Sequence, residues 1–540
     1  MHGGYSPLSS LKWPASQPPA GSLLAAIRRY PNGNDDWRWP LAPPRGPLPG
    51  KLAPRCSANW RSGRPQLSAD IELAAPAGYI SGSMKSKWTK WTSRVVALAI
   101  IIPAIYLLIF GPRPGSYRRA DGSQIRKRIV VSFWESWTGF EARAMDRVVR
   151  RFNRSQSKIY VRVVEMSNPI TKSLISIAGG DPPDIIALWS QPMGQFIASN
   201  ALVPLTPLIN RHIVGEHSFP AWIWRLCAPS GVLYTLPATP ETNALFWNKI
   251  LFARAGLNPN HPPRTIAQLD AMATKLTVYG RRGQLKQVGF VPNAPDWWTG
   301  QWGVWFGNQL YNYRTHQFNL DTPAQIKAYR WYASWPKKLG PNRLKLFESG
   351  FGQFASPDNP FMDGRVAMEM QGTYFVQFIQ KYNHHLIGHY GVAPFPTVSG
   401  CPRAANWGDC DMWGIPRGAK HMKAAMKVLA FFIQQRNIEY LNEKQFKATP
   451  LMDVSPEFFK NNRNPFIREF QRELTSPGIQ TNPASPIMAR VKSEVLLAAS
   501  RMWNGKSVAK TLRHTQHMVD RWQRQERGFY AASAAGEPPD

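Results

Sequence analysis

Cysteine is nearly missing from this chain: Cys56, Cys227, Cys401 and Cys410 are the only four among 540 residues. A small scaffold held by disulfides is therefore excluded, and the fold must rest on its core. A hydrophobic content of 43% is enough to bury more than one domain. Cys401 and Cys410 are near enough in sequence to bridge a loop in an oxidising compartment; two unlinked thiols are the alternative. Acidic residues are also scarce, 33 against 66 Lys and Arg, for a formal charge of +33. Such an imbalance attracts phosphate-bearing partners when it is concentrated. Here the basic residues are spread along the whole length and do not alternate with aromatics in one run. The charge reads as a property of the entire surface, with no nucleic-acid partner.

Long apolar runs are absent except for one. After Met84, Lys85, Lys87, Lys90 and Arg94 precede an uncharged stretch from Val95 to Phe110. A basic segment ahead of an apolar one is an export signal. The stretch is long for a signal-peptide core and short for a spanning helix of about 20 residues. No Cys follows for lipid attachment and no clear small-residue cleavage site is present. The expectation is an uncleaved anchor in the cytoplasmic membrane through residues 95–110, with cleavage as the alternative, and the rest of the chain outside. Residues 1–83 are rich in Pro, Gly, Ser, Ala and Arg without sustained apolar period. They read as a disordered or untranslated extension, Met84 as the start, 84–111 as signal or anchor, 112–125 as linker, and 531–540 as a disordered tail.

From Arg128 the pattern changes to alternating strands and helices, as a parallel α/β lobe requires. RIVVSFW at Arg128–Trp134, IYVRVVEM from Ile159 and DIIALW at Asp184–Trp189 read as strands. Between the first two, a helix begins at Thr138, with Glu141 at the capping-box position and Ala144, Val148, Val149 and Phe152 on one face. A second capping box, Thr265 with Gln268, starts a later helix, and Gly256 suits a helix C-terminus. The His384, His385 and His389 group has an i, i+4 pair, but Gly388 breaks the helix and no acidic neighbour follows, so it reads as a solvated helix end.

Several phrases together are similar to those of extracellular solute-binding proteins that serve ABC sugar importers (family 1). They are Leu236-Pro237 followed by a strand into Asn248-Lys249, Ala255-Gly256-Leu257, the turn at Pro262-Pro263, Gly179-Gly180-Asp181-Pro182-Pro183-Asp184, and Ile415-Pro416 through Gly418 to His421. The resemblance runs from about Arg128 to Trp503. It implies a two-lobed α/β periplasmic-binding-protein fold of type II, with hinge crossings between lobes. The first lobe is expected at 126–239 and 392–447 and the second at 240–391 and 448–530. Tyr390–Thr397 is expected to return the chain to the first lobe.

The resemblance further implies a carbohydrate ligand, a partner permease with an associated ATPase, no cofactor, no metal and no chemical step. Sugars present apolar C–H faces ringed by hydroxyls, so a site needs aromatic platforms with carboxylates and amides around them. Ligands in open α/β sheets bind beyond the carboxyl ends of the strands. Those arguments select Trp134, Glu135 and Trp137 after the first strand, Trp189 and Ser190 after the third, and Glu241 and Asn243 at the hinge. They also select Trp298 and Trp302 in the second lobe and Trp407 with Asp409 in the return loop, and the resemblance implies that the Gly372-x-Tyr374 triplet faces the ligand. Glu141 is assigned to capping instead. Paired carboxylates such as Glu135 with Asp409 or Glu241 leave one alternative, an envelope carbohydrate-active enzyme or sensor on the same fold.

Overall fold

The first strand, β1 (Ile129–Glu135), buries Val131, Phe133 and Glu135 on one face while Ser132 and Trp134 point to the other. The computed structural model describes residues 128–210, 212–294, 299–401 and 405–526. The export segment, the linker, Cys56, Trp297, Trp298 and the tail past 526 lie outside the described residues. The strands that follow are β2 (Ile159–Glu165), β3 (Ile185–Leu188), β4 (Thr235–Thr242), β5 (Ala244–Asn248), β6 (Val278–Tyr279) and β7 (Leu285–Phe290). After them come β8 (Tyr311–Asn312), β9 (Gln317–Phe318), β10 (Val366–Gln371), β11 (Tyr390–Pro394), β12 (Asn406–Gly414) and β13 (Ile479–Gln480).

They form two main sheets, each in its own lobe. In the first, β2, β1 and β3 are parallel neighbours, β3 pairs antiparallel with β12, and β12 pairs antiparallel with β4. The short β13 extends that sheet alongside the start of β12. In the second, the order is β11-β5-β10-β7-β6, with β8 and β9 as a separate hairpin. The architecture is the two-lobed α/β one that the sequence implies.

Local chemistry explains the joints. The helix Gly139–Ser155 lays Ala144, Met145, Val148, Val149 and Phe152 on the first sheet. Its Asn153 then exchanges two hydrogen bonds with the Val161 backbone of β2, at 2.8 and 3.0 Å, which fixes the helix end to the strand. Thr138 sits at the N-cap in extended conformation without a side-chain cap bond, so the capping role expected of Glu141 is not realised. Its carboxylate reaches Lys447 instead, at 2.7 Å. The other expected cap does form: Thr265 accepts from the Gln268 amide, and Gln268 reaches back to the Arg264 amide. Asp184 joins two distant phrases, accepting from the Ser132 amide at 2.8 Å and from the His421 amide at 2.9 Å.

The lobes meet at short crossings. Asn243 alone separates β4, in the first sheet, from β5, in the second. The return differs from expectation, because all of β11 pairs with β5. Tyr390–Pro394 is therefore a strand of the second sheet, and the chain goes back only between β11 and β12. A row of backbone partners on β5 holds it there, and Tyr390 packs against Phe246. Asn406 closes the two crossings side by side, donating to the Asn243 carbonyl at 2.9 Å. The helix Ile467–Leu474 lies under the hinge, with Phe470 against Phe246 of β5 and Leu474 accepting from Trp222 of the first lobe. Both lobes belong to a single compact unit.

Candidate functional site

Four strand ends of the first sheet converge beside the hinge: β1 at Glu135, β3 just before Trp189, β4 at Glu241, and the start of β12. β12 runs antiparallel to β3 and β4; its first half extends past the carboxyl end of β3 while pairing with the carboxyl-terminal half of β4, from Gly408 opposite Thr242. Side chains two apart on a strand share a face, which puts Asp409 and Asp411 together. Asp409 is directly opposite Glu241 and Asp411 opposite Thr239. The ladder shifts register between Asp411 and Met412, an irregularity of the kind that re-aims side chains at functional edges.

Asp411 is the centre of a hydrogen-bonded knot. Its Oδ2 accepts from Thr239 Oγ1 at 2.8 Å and from Trp137 Nε1 at 3.2 Å. Lys447 Nζ lies 3.8 Å from the same oxygen and 5.4 Å from the centre of the Trp137 ring. Burial works against the Lys447 charge, but Glu141 and Asp411 outweigh it and keep the ammonium above its ordinary value. Asp409 accepts from the Ser190 amide at 3.2 Å, and Ser190 Oγ accepts from Asn482.

Two carboxyls beside this knot are held in the protonated range. Burial raises Glu135 to about 8, and Asp411 adds to the shift. Burial also raises Glu241 to about 8, followed by Asp409 and Asp411. From the second lobe, the turn after β10 comes against Glu241. A Cβ on Gly372 would lie 3.1 Å from Glu241 Oε2 and 2.5 Å from Tyr374 Cε1, so only glycine permits this approach. Tyr374 packs edge-on against Phe354, and its hydroxyl donates to Gln371 at 3.4 Å. Close by on β10, Glu369 accepts from Gln371 and Asn359, and burial lifts it to about 7. Thr242 Oγ1, Thr373 Oγ1 and both amide atoms of Asn243 are buried without a hydrogen-bond partner. Buried polar atoms are costly to leave unpaired, which makes this junction the candidate site.

The structure thus gathers Glu135, Trp137, Ser190, Glu241, Asn243, Gly372, Tyr374 and Asp409 around one junction. Trp134 does not join them: strand alternation turns it to the face of β1 opposite Glu135. Trp189 stays half-buried beyond β3, and Trp407 is 3% exposed within the sheet. Trp302 is a correction. It is 1% exposed and packed among Phe290, Trp305, Trp331 and Phe395, as part of the second-lobe core. Asp411 was legible in the period-two Asp409-Cys410-Asp411 spacing but not selected. Lys447 gave no sequence signal, because one lysine after a helix resembles any solvated lysine. Cys227, Cys401 and Cys410 are free thiols, so no loop bridge forms between the last two. Among the described residues, no group of three His, Cys, Asp or Glu side chains is placed to hold a metal.

With this geometry, the comparison with known proteins is decisive. The family model of the bacterial extracellular solute-binding proteins matches residues 139–437, more than half of the chain. The chain belongs to this family. Among its relatives is the sn-glycerol-3-phosphate-binding periplasmic protein UgpB of Salmonella typhimurium, 22% identical over 428 residues, covering 75% of this chain and 94% of UgpB. UgpB of Pectobacterium atrosepticum is 22% identical over 332 residues, covering 58% of this chain and 71% of that protein. Among solved structures, CpMnBP1 with mannobiose bound superposes with a TM-score of 0.64 at 26% identity, covering 72% of this chain and 99% of the other. The GacH receptor of Streptomyces glaucescens, solved unliganded and with acarbose, shares the fold with a TM-score of 0.61 at 17% identity, covering 74% and 98%. This solute-binding protein therefore places its hinge, and the buried unpaired groups beside it, in a fold whose members capture solutes.

Proposed function

We propose that this solute-binding protein captures a carbohydrate outside the cytoplasmic membrane and delivers it, chemically unchanged, to an ABC permease with its ATPase. The observation that carries the reading is the close approach of Gly372, in the opposite lobe, to Glu241 near the end of β4 before the hinge, with Tyr374 beside the same glycine. A hydroxyl-rich solute held there touches both lobes at once. Such a ligand biases an existing open and closed equilibrium towards closed, by as much as its contacts differ between the two states. Carboxyl and amide groups supply the hydroxyl partners, and Trp137 and Tyr374 supply aromatic faces. The mannobiose-bound neighbour supports the ligand class. The proposed binding set is Glu135, Trp137, Ser190, Glu241, Asn243, Gly372, Tyr374 and Asp409, with Trp189 at its margin.

The proposal includes a periplasmic or extracytoplasmic location with attachment through residues 95–110. Among the described residues, no helix is long and apolar enough to cross a membrane. The reading is tested by thermal shift across neutral mono- and oligosaccharides with product analysis. A stabilising sugar recovered intact supports it, because binding to the folded state alone raises stability by mass action. Recovery of hydrolysed sugar supports the enzyme alternative.

A further inference from the structure

The chain as a whole carries twice as many basic as acidic residues, yet the junction reverses that balance. Glu135, Glu141, Glu241, Asp409 and Asp411 meet there, while the cations acting on them are Lys447 and Lys492. Lys447 is committed to Glu141 at 2.7 Å and also faces Asp411, so its charge is already answered. Lys492 acts on Asp409 from the helix Met488–Trp503. Acidity alone is not a binding site. The second observation is that Asn243, 1% exposed and two residues on from Glu241, leaves both side-chain amide atoms unpaired, as Thr373, fully buried in the second-lobe turn whose Gly372 comes against Glu241, leaves its hydroxyl.

Resting on the solute-capture reading, we infer that the cleft takes a carbohydrate without phosphate, uncharged or amine-bearing, and rejects phosphate esters of the kind named for UgpB. A phosphate dianion beside Glu241 would meet Asp409 across the ladder and Asp411 two residues on, with the nearer ammonium already paired. Like charges brought together in a water-poor interface are strongly disfavoured. Hydroxyl donors meet no such penalty, since carboxylate oxygens accept from them, and an ammonium group supplies the cation the cluster is short of.

The test is a calorimetric titration of the full chain at neutral pH with mannobiose, mannotriose, maltose, glucosamine and sn-glycerol-3-phosphate, repeated with Asp409→Asn and Asp411→Asn. Sn-glycerol-3-phosphate is expected to bind the native protein at least about 100-fold more weakly than the best neutral or amine-bearing sugar, and to gain affinity in the two variants. If it binds as tightly as the best sugar, the inference is overturned while carbohydrate capture survives. If it alone binds, both fall. If nothing in the series binds, the inference falls together with the carbohydrate reading on which it rests.

Discussion

Glu241 and Asp409 occupy one cross-strand pair between β4 and β12, two carboxyl groups opposite each other where a sheet ordinarily avoids like charge. The arrangement persists because Glu241 is held neutral, its carboxyl raised from 4.5 to about 8 by burial and then by Asp409 and Asp411. A pH dependence follows. A group whose folded value lies above its unfolded one contributes stability that is full below about 4.5 and is lost as pH rises through about 8. Glu135 adds the same trend. The ligand-free protein is therefore expected to melt at lower temperature at pH 9 than at pH 6. Glu135→Gln and Glu241→Gln should each flatten this slope, since Gln resembles the neutral form. Melting curves from pH 5 to 9 check it, and an equal slope in all three proteins contradicts the assignment.

Gly372 is expected to tolerate no side chain without cost to binding. In Gly372→Ala the new methyl meets the Tyr374 ring at 2.5 Å, and that ring is pinned against Phe354. Displacing Tyr374 from Glu241 should weaken sugar binding by about tenfold or more, as loss of one central contact does. Titration of the variant measures the loss, and unchanged affinity would place the ligand elsewhere.

Tryptophans should separate by role. Trp302→Ala removes a fully buried ring from the second-lobe core and should cost about 3–5 kcal/mol of stability, read by denaturant unfolding. Trp137→Ala should lower affinity more than stability, because its ring faces Lys447 and its N–H orients Asp411. The reverse pattern would exchange their roles.

Lys447→Met leaves Glu141 and Asp411 without their shared cation. Lys447 is buried while Glu141 and Asp411 keep some contact with solvent, so its loss should destabilise, by less than the about 3–5 kcal/mol of a fully buried pair broken from one side. Lys447→Met combined with Glu141→Gln should recover part of the loss. No recovery in denaturant melts would mean that the pair is not what holds Lys447 in place.

Much of the fold was legible because its signals are local. The helix face Ala144, Val148, Val149 and Phe152, the Thr265 cap, and the Asp184 and His421 phrases all read correctly as residues, even though their meeting in space could not be seen. What failed depended on contacts distant in sequence. Glu141 has capping spacing, but Lys447, far along the chain, took its carboxylate. Tyr390–Pro394 has a returning strand's pattern, yet pairing with β5 decides its lobe. Trp302 and Trp137 carry the same indole; only packing distinguishes a core ring from one beside a charged knot. Burial on both faces of a strand hides such differences from periodicity.

The location can be tested separately. Translation begun at Met84 in a bacterial host should yield protein that fractionates with membranes and is digested by protease added to the periplasmic side. Translation begun at Ser123, a few residues ahead of β1 in sequence, should yield soluble, ligand-competent protein. An unfolded product from Ser123 would show that the preceding segment does more than anchor.

The most direct test of carbohydrate capture between the lobes is titration of the native protein and Glu241→Ala with the sugar that stabilises it best, followed by chromatography of the recovered ligand. One saturable site, intact sugar and at least about a tenfold loss of affinity in the variant are expected. Equal affinity in both proteins, or a cleaved sugar, would contradict the account.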